Sequence, residues 1–69
     1  MIKMQKESDG RWIVWDTKTL REATIVRIDD YFMGRKMKSR YRVDYKGVTV
    51  QTMIDRFHTA KTAASKQVR

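Results

Sequence analysis

The sequence predicts a small α+β domain, an antiparallel sheet of three to four strands followed by a C-terminal helix. Three observations predict it. The stretch RYRVDYKGVTVQT, residues 40–52, alternates its side chains on either side of a Lys-Gly turn. The stretches RWIVWD and EATIVRI are short, rich in β-branched and aromatic residues, and carry no helical period. Beyond residue 52 the apolar residues recur at spacings of three or four, as on one face of a helix.

In chain order, residues 1–9 read as a flexible N-terminal segment and residues 10–69 as the domain. Asp9-Gly10 is a turn signal that opens it. RWIVWD forms a first strand over 11–16, DTKTLR a polar connector, and EATIVRI a second strand over 22–28, the two strands pairing as a hairpin. Trp12 and Trp15 fall on opposite faces of the first strand, so at least one is not fully buried. Asp29-Asp30 ends the second strand, and a basic segment with a bend at Gly34 runs to about residue 39.

Along residues 40–45, Tyr41, Val43 and Tyr45 face one way and Arg40, Arg42 and Asp44 the other. After the Lys46-Gly47 turn, Val48, Val50 and Thr52 share one face and Thr49 and Gln51 the other. Met53, Phe57, Ala60, Ala64 and Val68 then form one helical stripe. Two helix starts are open. Thr52 with Asp55 makes a capping box, or the last strand runs on to about Phe57 and Thr59 caps a shorter helix. Either way the helix covers Tyr41, Val43, Val48 and Val50 with Phe57, Ala60 and Ala64.

Size bounds the rest. A chain of 69 residues is one domain at most, with a core worth only a few kcal/mol. The absence of Cys excludes a disulfide framework and a thiolate metal site, and it fits a reducing compartment such as the cytoplasm. MIKMQKESDG has no apolar core of the kind a signal peptide needs. The longest strongly apolar run, Trp12 to Trp15, is far too short to cross a bilayer, so the expectation is a soluble chain with no membrane partner.

Charge is unevenly placed. Residues 1–30 hold six Lys/Arg and six Asp/Glu, whereas residues 31–69 hold ten Lys/Arg against Asp44 and Asp55, which is the whole net charge of +8. YFMGRKMKSRYR, residues 31–42, concentrates five of those cations with three aromatic rings and no acid. This asymmetry points to a polyanion partner, with nucleic acid the first choice and DNA favoured over RNA. A DNA-bound chain would sit with the nucleoid.

The face opposite the helix would stay open and present Arg40, Arg42, Thr49 and Gln51. Arg donates in pairs to guanine O6 and N7, and Gln pairs with adenine N6 and N7. Arg35, Lys36, Lys38 and Lys46 flank that face and would contact phosphates, which set affinity without reading sequence. The competing reading is an ordinary solvated sheet face in which Arg42 pairs across the strands with a neighbour. Tyr31 and Phe32 either pack the basic loop onto the sheet edge or stand exposed as stacking platforms for unpaired bases.

Two family resemblances enter here. RYRVDYKGVTVQTMIDRFHTAKTAASKQVR resembles the end of AP2-like three-stranded domains, which include the arm-binding domains of phage-type tyrosine integrases. The shared pattern is a strand, a Gly turn at Gly47, a strand ending at Phe57, then His58-Thr59 and a helix with Ala63-Ala64. GRWIVWD is similar to an earlier strand of such domains. The resemblance implies a sheet laid in the major groove, with Arg40, Arg42, Thr49 and Gln51 at the bases. ATIVRIDDYFMGRKMKSRYRVDYKGVTV is also similar to small SH3-like barrels of the tudor, chromo-barrel or KOW kind. That resemblance implies RNA, a ribosome or a protein tail as partner.

Catalysis is not expected. His58 is the one histidine and has no carboxylate to orient it; Asp29-Asp30 lacks a third metal ligand; the three glycines, Gly10, Gly34 and Gly47, make no phosphate-cradling loop. No catalytic residue, cofactor or metal ligand is assigned. The expected function is a nucleic-acid-binding module for duplex DNA, acting as a small accessory or regulatory factor of a phage or other mobile element. The alternatives are a basic protein-interaction module or inhibitor that docks on an acidic surface of a nucleic-acid enzyme, and an SH3-like RNA- or ribosome-binding module.

Overall fold

The computed structural model describes residues 1–69 as an α+β fold: an antiparallel sheet of five strands, a small separate hairpin and one C-terminal helix. The elements are β1 (Ile2–Ser8), β2 (Arg11–Asp16), β3 (Glu22–Ile28), β4 (Tyr31–Phe32), β5 (Arg35–Lys36), β6 (Arg40–Tyr45), β7 (Val48–Ile54) and α1 (Phe57–Val68). The sheet runs β1-β2-β3-β6-β7, and β4-β5 is an excursion between β3 and β6. No helix is long and apolar enough to cross a membrane.

All four expected strands form, and a fifth precedes them. The expected flexible segment over residues 1–9 is instead β1, paired with β2 from Ile2↔Asp16 to Ser8↔Arg11. Its apolar residues explain why. Ile2 and Met4 alternate with Lys3 and Gln5, and the pairing Met4↔Val14 directs Met4 to the helix side, where both Ile2 and Met4 pack against the core. Asp9-Gly10 is the hairpin turn that brings β1 back, with Gly10 at φ +76°. Lys3 and Lys6 then lie on an outer strand, where cations discourage pairing with another chain.

The β2–β3 hairpin closes through Asp16 and Arg21, whose backbones pair at 3.1 Å. This connector also anchors the end of the helix, since the Thr19 hydroxyl donates to the Val68 carbonyl at 2.7 Å.

The core lies between the sheet and α1. Val14, Ala23, Ile25 and Val43 face Ala60, Ala64 and Val68, and all are buried. The helix crosses β2, β3 and β6. Ala60 and Ala64 lack bulk, so the helix backbone sits close to the strands. At its N-terminal end Phe57 closes an aromatic cluster, with ring centres 4.8 Å from Trp12 and 5.5 Å from Tyr41. Such tilted and edge-on contacts suit the ring quadrupoles. Trp12 and Trp15 are both half-buried, one on each face as the alternation requires.

The helix starts at neither expected cap. Arg56 occupies the N-cap with extended backbone and makes no side-chain cap, and Thr59 lies inside the helix. The reason is Ile54, which is buried opposite Tyr41 and therefore keeps the chain in the sheet until residue 54. Met53, expected on the helical stripe, lies in β7 with φ 59° and is exposed.

The expected burial of Val48 and Val50 also fails: they are 62% and 41% exposed. β7 is an edge strand, and the helix lies mainly over the three strands inside it. It is also irregular. Between the pairs Tyr45↔Val48 and Tyr41↔Ile54, β6 advances four residues and β7 six, so β7 carries two extra residues in bulges.

The excursion of residues 29–39 folds as its own hairpin. β4 and β5 pair as Tyr31↔Lys36 and Phe32↔Arg35. Met33 and Gly34 form the turn, with φ 52° and 76°. Lys46 and Gly47 turn the β6–β7 hairpin with nearly the same pair of angles, 52° and 75°. Two positive φ values mark the type I′ turns that suit the twist of a hairpin. A non-glycine residue there carries strain of about 1–2 kcal/mol.

Candidate nucleic-acid interface

The basic segment stands out from the body of the molecule. A seven-residue strand spans about 23 Å, while the molecule is 46 Å long and 20 Å across. Thirteen residues from Glu22 to Gly34 span about 43 Å if extended, a length comparable with that long axis. Every residue from 31 to 38 is exposed.

Asp29 fastens the base of this ribbon. The Ser39 hydroxyl donates to Asp29 Oδ1, and the Met37 amide donates to the Asp30 carbonyl at 2.7 Å. Arg27 Nε lies 3.5 Å and Lys36 Nζ 3.8 Å from the Asp29 carboxylate. The Ser39 hydrogen bond, and then the Lys36 and Arg27 charges, hold Asp29 below the ordinary carboxylate value of 3.8. Asp16 is lowered too, first by the Lys18 amide that donates to it at 2.7 Å and then by the Met1 ammonium.

A depressed carboxyl stabilises the folded state at pH values above its unfolded pKa, and that contribution is lost as pH falls through the folded one. Stability is therefore expected to be flat from neutral pH down to about 4 and to fall below the reference value of 3.8. Thermal melts across pH 2–7 measure it. Asp16→Asn/Asp29→Asn should show a shallower acid limb, and an unchanged limb would assign acid sensitivity to other carboxylates.

On the ribbon, opposed residues share a face. Tyr31 therefore goes with Lys36 and Phe32 with Arg35, so each face shows one ring and one cation. Tyr31 and Phe32 are 69% and 65% exposed, which decides between the two placements open from sequence: they do not pack the loop onto the sheet. Arg35 and Lys38 have no ion-pair partner, while Lys36 pairs with Asp29 and Arg40 with Asp55 at 3.7 Å. Arg35, Lys36, Lys38 and Arg40 thus cluster at one end of β6.

The remaining candidates lie elsewhere. Lys46 sits at the other end of β6, about 20 Å along the strand, with its ammonium 5.4 Å from the centre of the Tyr45 ring. Arg42 and Thr49 do lie on the open face, but both bond to Asp44, at 3.0 Å and 2.8 Å. Arg42 Nε is buried and has no partner. Gln51 does not stand beside Arg42. The bulged register sets it opposite Val43, whose side chain points beneath the helix. The expected row of base readers on the sheet is therefore broken by one acid and one bulge.

Sequence reasoning had access to one of these signals. Arg42 and Asp44 are two apart in a strand and must share a face. The bulges in β7 leave no comparable mark. The exposed Met33 was also missed, although Met next to Gly at a bend is an unusual turn pair.

The open face also carries Ile13, Trp15, Val26 and Ile28, all half-buried and covered by no other element. No family model, curated protein or solved structure matches the chain.

Proposed function

We propose that this chain is a nucleic-acid-binding module that engages duplex DNA through its basic β4–β5 ribbon, as an accessory or regulatory factor. The observation that carries the reading is the ribbon itself. It brings Arg35, Lys36, Lys38 and Arg40 together on a projecting element with exposed rings, and its only acids, Asp29 and Asp30, lie at its base. Cations at such a site neutralise phosphates and release counterions. Arg42, bound to Asp44, would make a backbone or groove-edge contact in this reading; Thr49, Gln51 and Lys46 are peripheral to it.

Fluorescence anisotropy with duplex DNA, single-stranded DNA and RNA, each over a salt series, tests it. The expected result is sub-micromolar binding to duplex at physiological salt, with a steep loss of affinity as salt rises. Binding that is equal for all three polymers and gone by about 150 mM salt would reduce the charge to generic attraction.

A second reading has its own observation. The uncovered row of Ile13, Trp15, Val26 and Ile28 suits a protein-interaction module. Under it, Trp15→Ala would abolish partner capture, and substitution of the ribbon cations would leave it intact.

A further inference from the structure

The apex of the β4–β5 ribbon is built against the preference of its own turn. Two positive φ angles favour Asn-Gly or Asp-Gly, yet the first position is Met33. Met33 gains nothing from burial there. At 87% it is the most exposed large apolar side chain in the molecule. The Lys46-Gly47 turn has nearly the same φ values with a polar residue in the same position, so the backbone does not call for an apolar one.

Phe32 stands next to this apex, and Arg35 is directly opposite Phe32 on the same face. An apolar point framed by cations fits a partner that is anionic at its walls and apolar within. Stacked bases between phosphate rails have that character, and so does an anionic bilayer. The pairing of Phe32 with Arg35 favours the duplex. Arg35 leaves the ribbon at the same level as the ring, and a minor groove has phosphate walls within its reach, whereas hydrocarbon penalises a charge. Only two apolar side chains are on offer, little area for a bilayer anchor but enough for one base step.

We propose that the apex is a wedge: Met33, with Phe32, inserts from the minor groove between base pairs of duplex DNA and kinks the helix, while Arg35 and Lys36 hold the flanking phosphates. This rests on the reading of the chain as a duplex-binding module. The wedge enters at pyrimidine–purine steps such as TA, which unstack most easily.

The test uses the full chain and a duplex with 2-aminopurine at a central TA step and a fluorophore at each end. Wild-type protein should raise 2-aminopurine emission through unstacking and raise end-to-end energy transfer through bending. Met33→Asn creates the preferred Asn-Gly turn, so the hairpin is kept while the apolar point is lost. It should abolish both signals and leave the salt slope of binding unchanged. Phe32→Ala should weaken both. Methylation of adenine N3, in the minor groove, should block binding, and methylation of guanine N7, in the major groove, should not.

Salt-dependent duplex binding with no unstacking in the wild type sinks the wedge and leaves the DNA-binding reading standing. Unstacking retained in Met33→Asn sinks it equally, as does interference at guanine N7 alone. No binding to duplex at any salt overturns both readings. Vesicles of mixed anionic and neutral phospholipid form the last arm. Binding that depends on Phe32 and Met33 there, without duplex unstacking, would assign the apex to lipid.

Discussion

Ile25→Ala is expected to destabilise the fold by about 2–5 kcal/mol, the range for truncating a buried Ile to Ala. Chains of this size have roughly 3–10 kcal/mol in total, so the variant should be partly or wholly unfolded at room temperature. Ile25 lies on the middle strand of the five, opposite Trp12 on one side and Val43 on the other, and it is fully buried. Both neighbouring strands are hydrogen-bonded to it, and α1 closes the face above. The vacated volume has little means of collapsing, which places the loss towards the upper end.

Urea denaturation measures it directly, and the melting temperature should drop by at least about 8 °C at 4–8 °C per kcal/mol. Val50→Ala is the control. Its side chain lies in the bulged edge strand, and the change should stay within about 0.5 kcal/mol. Equal effects from the two would contradict the burial difference between β3 and β7.

Arg35→Ala/Lys36→Ala/Lys38→Ala should lower the slope of log K against log salt by about 2.7, since each lost phosphate contact removes about 0.9. The loss should be uniform across DNA sequences, because phosphate contacts fix position without reading bases. All three side chains are exposed, so folding should survive; only the Lys36–Asp29 pair is removed. Lys46→Ala carries the comparison. It removes a cation of the same kind from the far end of β6 and should change the slope little. A triple variant that binds with the wild-type slope would move the interface off the ribbon and onto the open sheet face.

Arg42→Ala has a different meaning from the one its place in the strand suggests. Its partner Asp44 also holds Thr49, so the substitution frees a carboxylate on the open face as well as removing a cation. A loss of affinity there reports both changes, and Arg42→Ala/Asp44→Ala separates them.

Local pattern determined much of this protein. Alternation over residues 40–45 set which side of β6 is core, because a strand has a strict period of two, and Val43 is fully buried as that period requires. The spacing of Ala60, Ala64 and Val68 set the buried face of α1, and the Lys46-Gly47 and Gly34 positions marked both tight turns. The excess of cations after residue 30 is a property of composition and needed no fold to be seen.

Tertiary structure alone decided the rest. Residues 2–8 have few β-branched side chains, and they become a strand because β2 offers a free edge and Ile2 and Met4 find the core. Val48 keeps the alternation yet stays exposed, because burial depends on how far the helix reaches across the sheet, and Val50 falls in the bulge between Thr49 and Gln51. Gln51 changes face because one bulge in β7, between the pairs Asp44↔Thr49 and Val43↔Gln51, inserts an extra residue; a second bulge restores the parity that sets Ile54 opposite Tyr41, and a bulge is selected by distant packing. Periodicity reports which residues share a face of one element, whereas what covers that face is set by the contacts between elements.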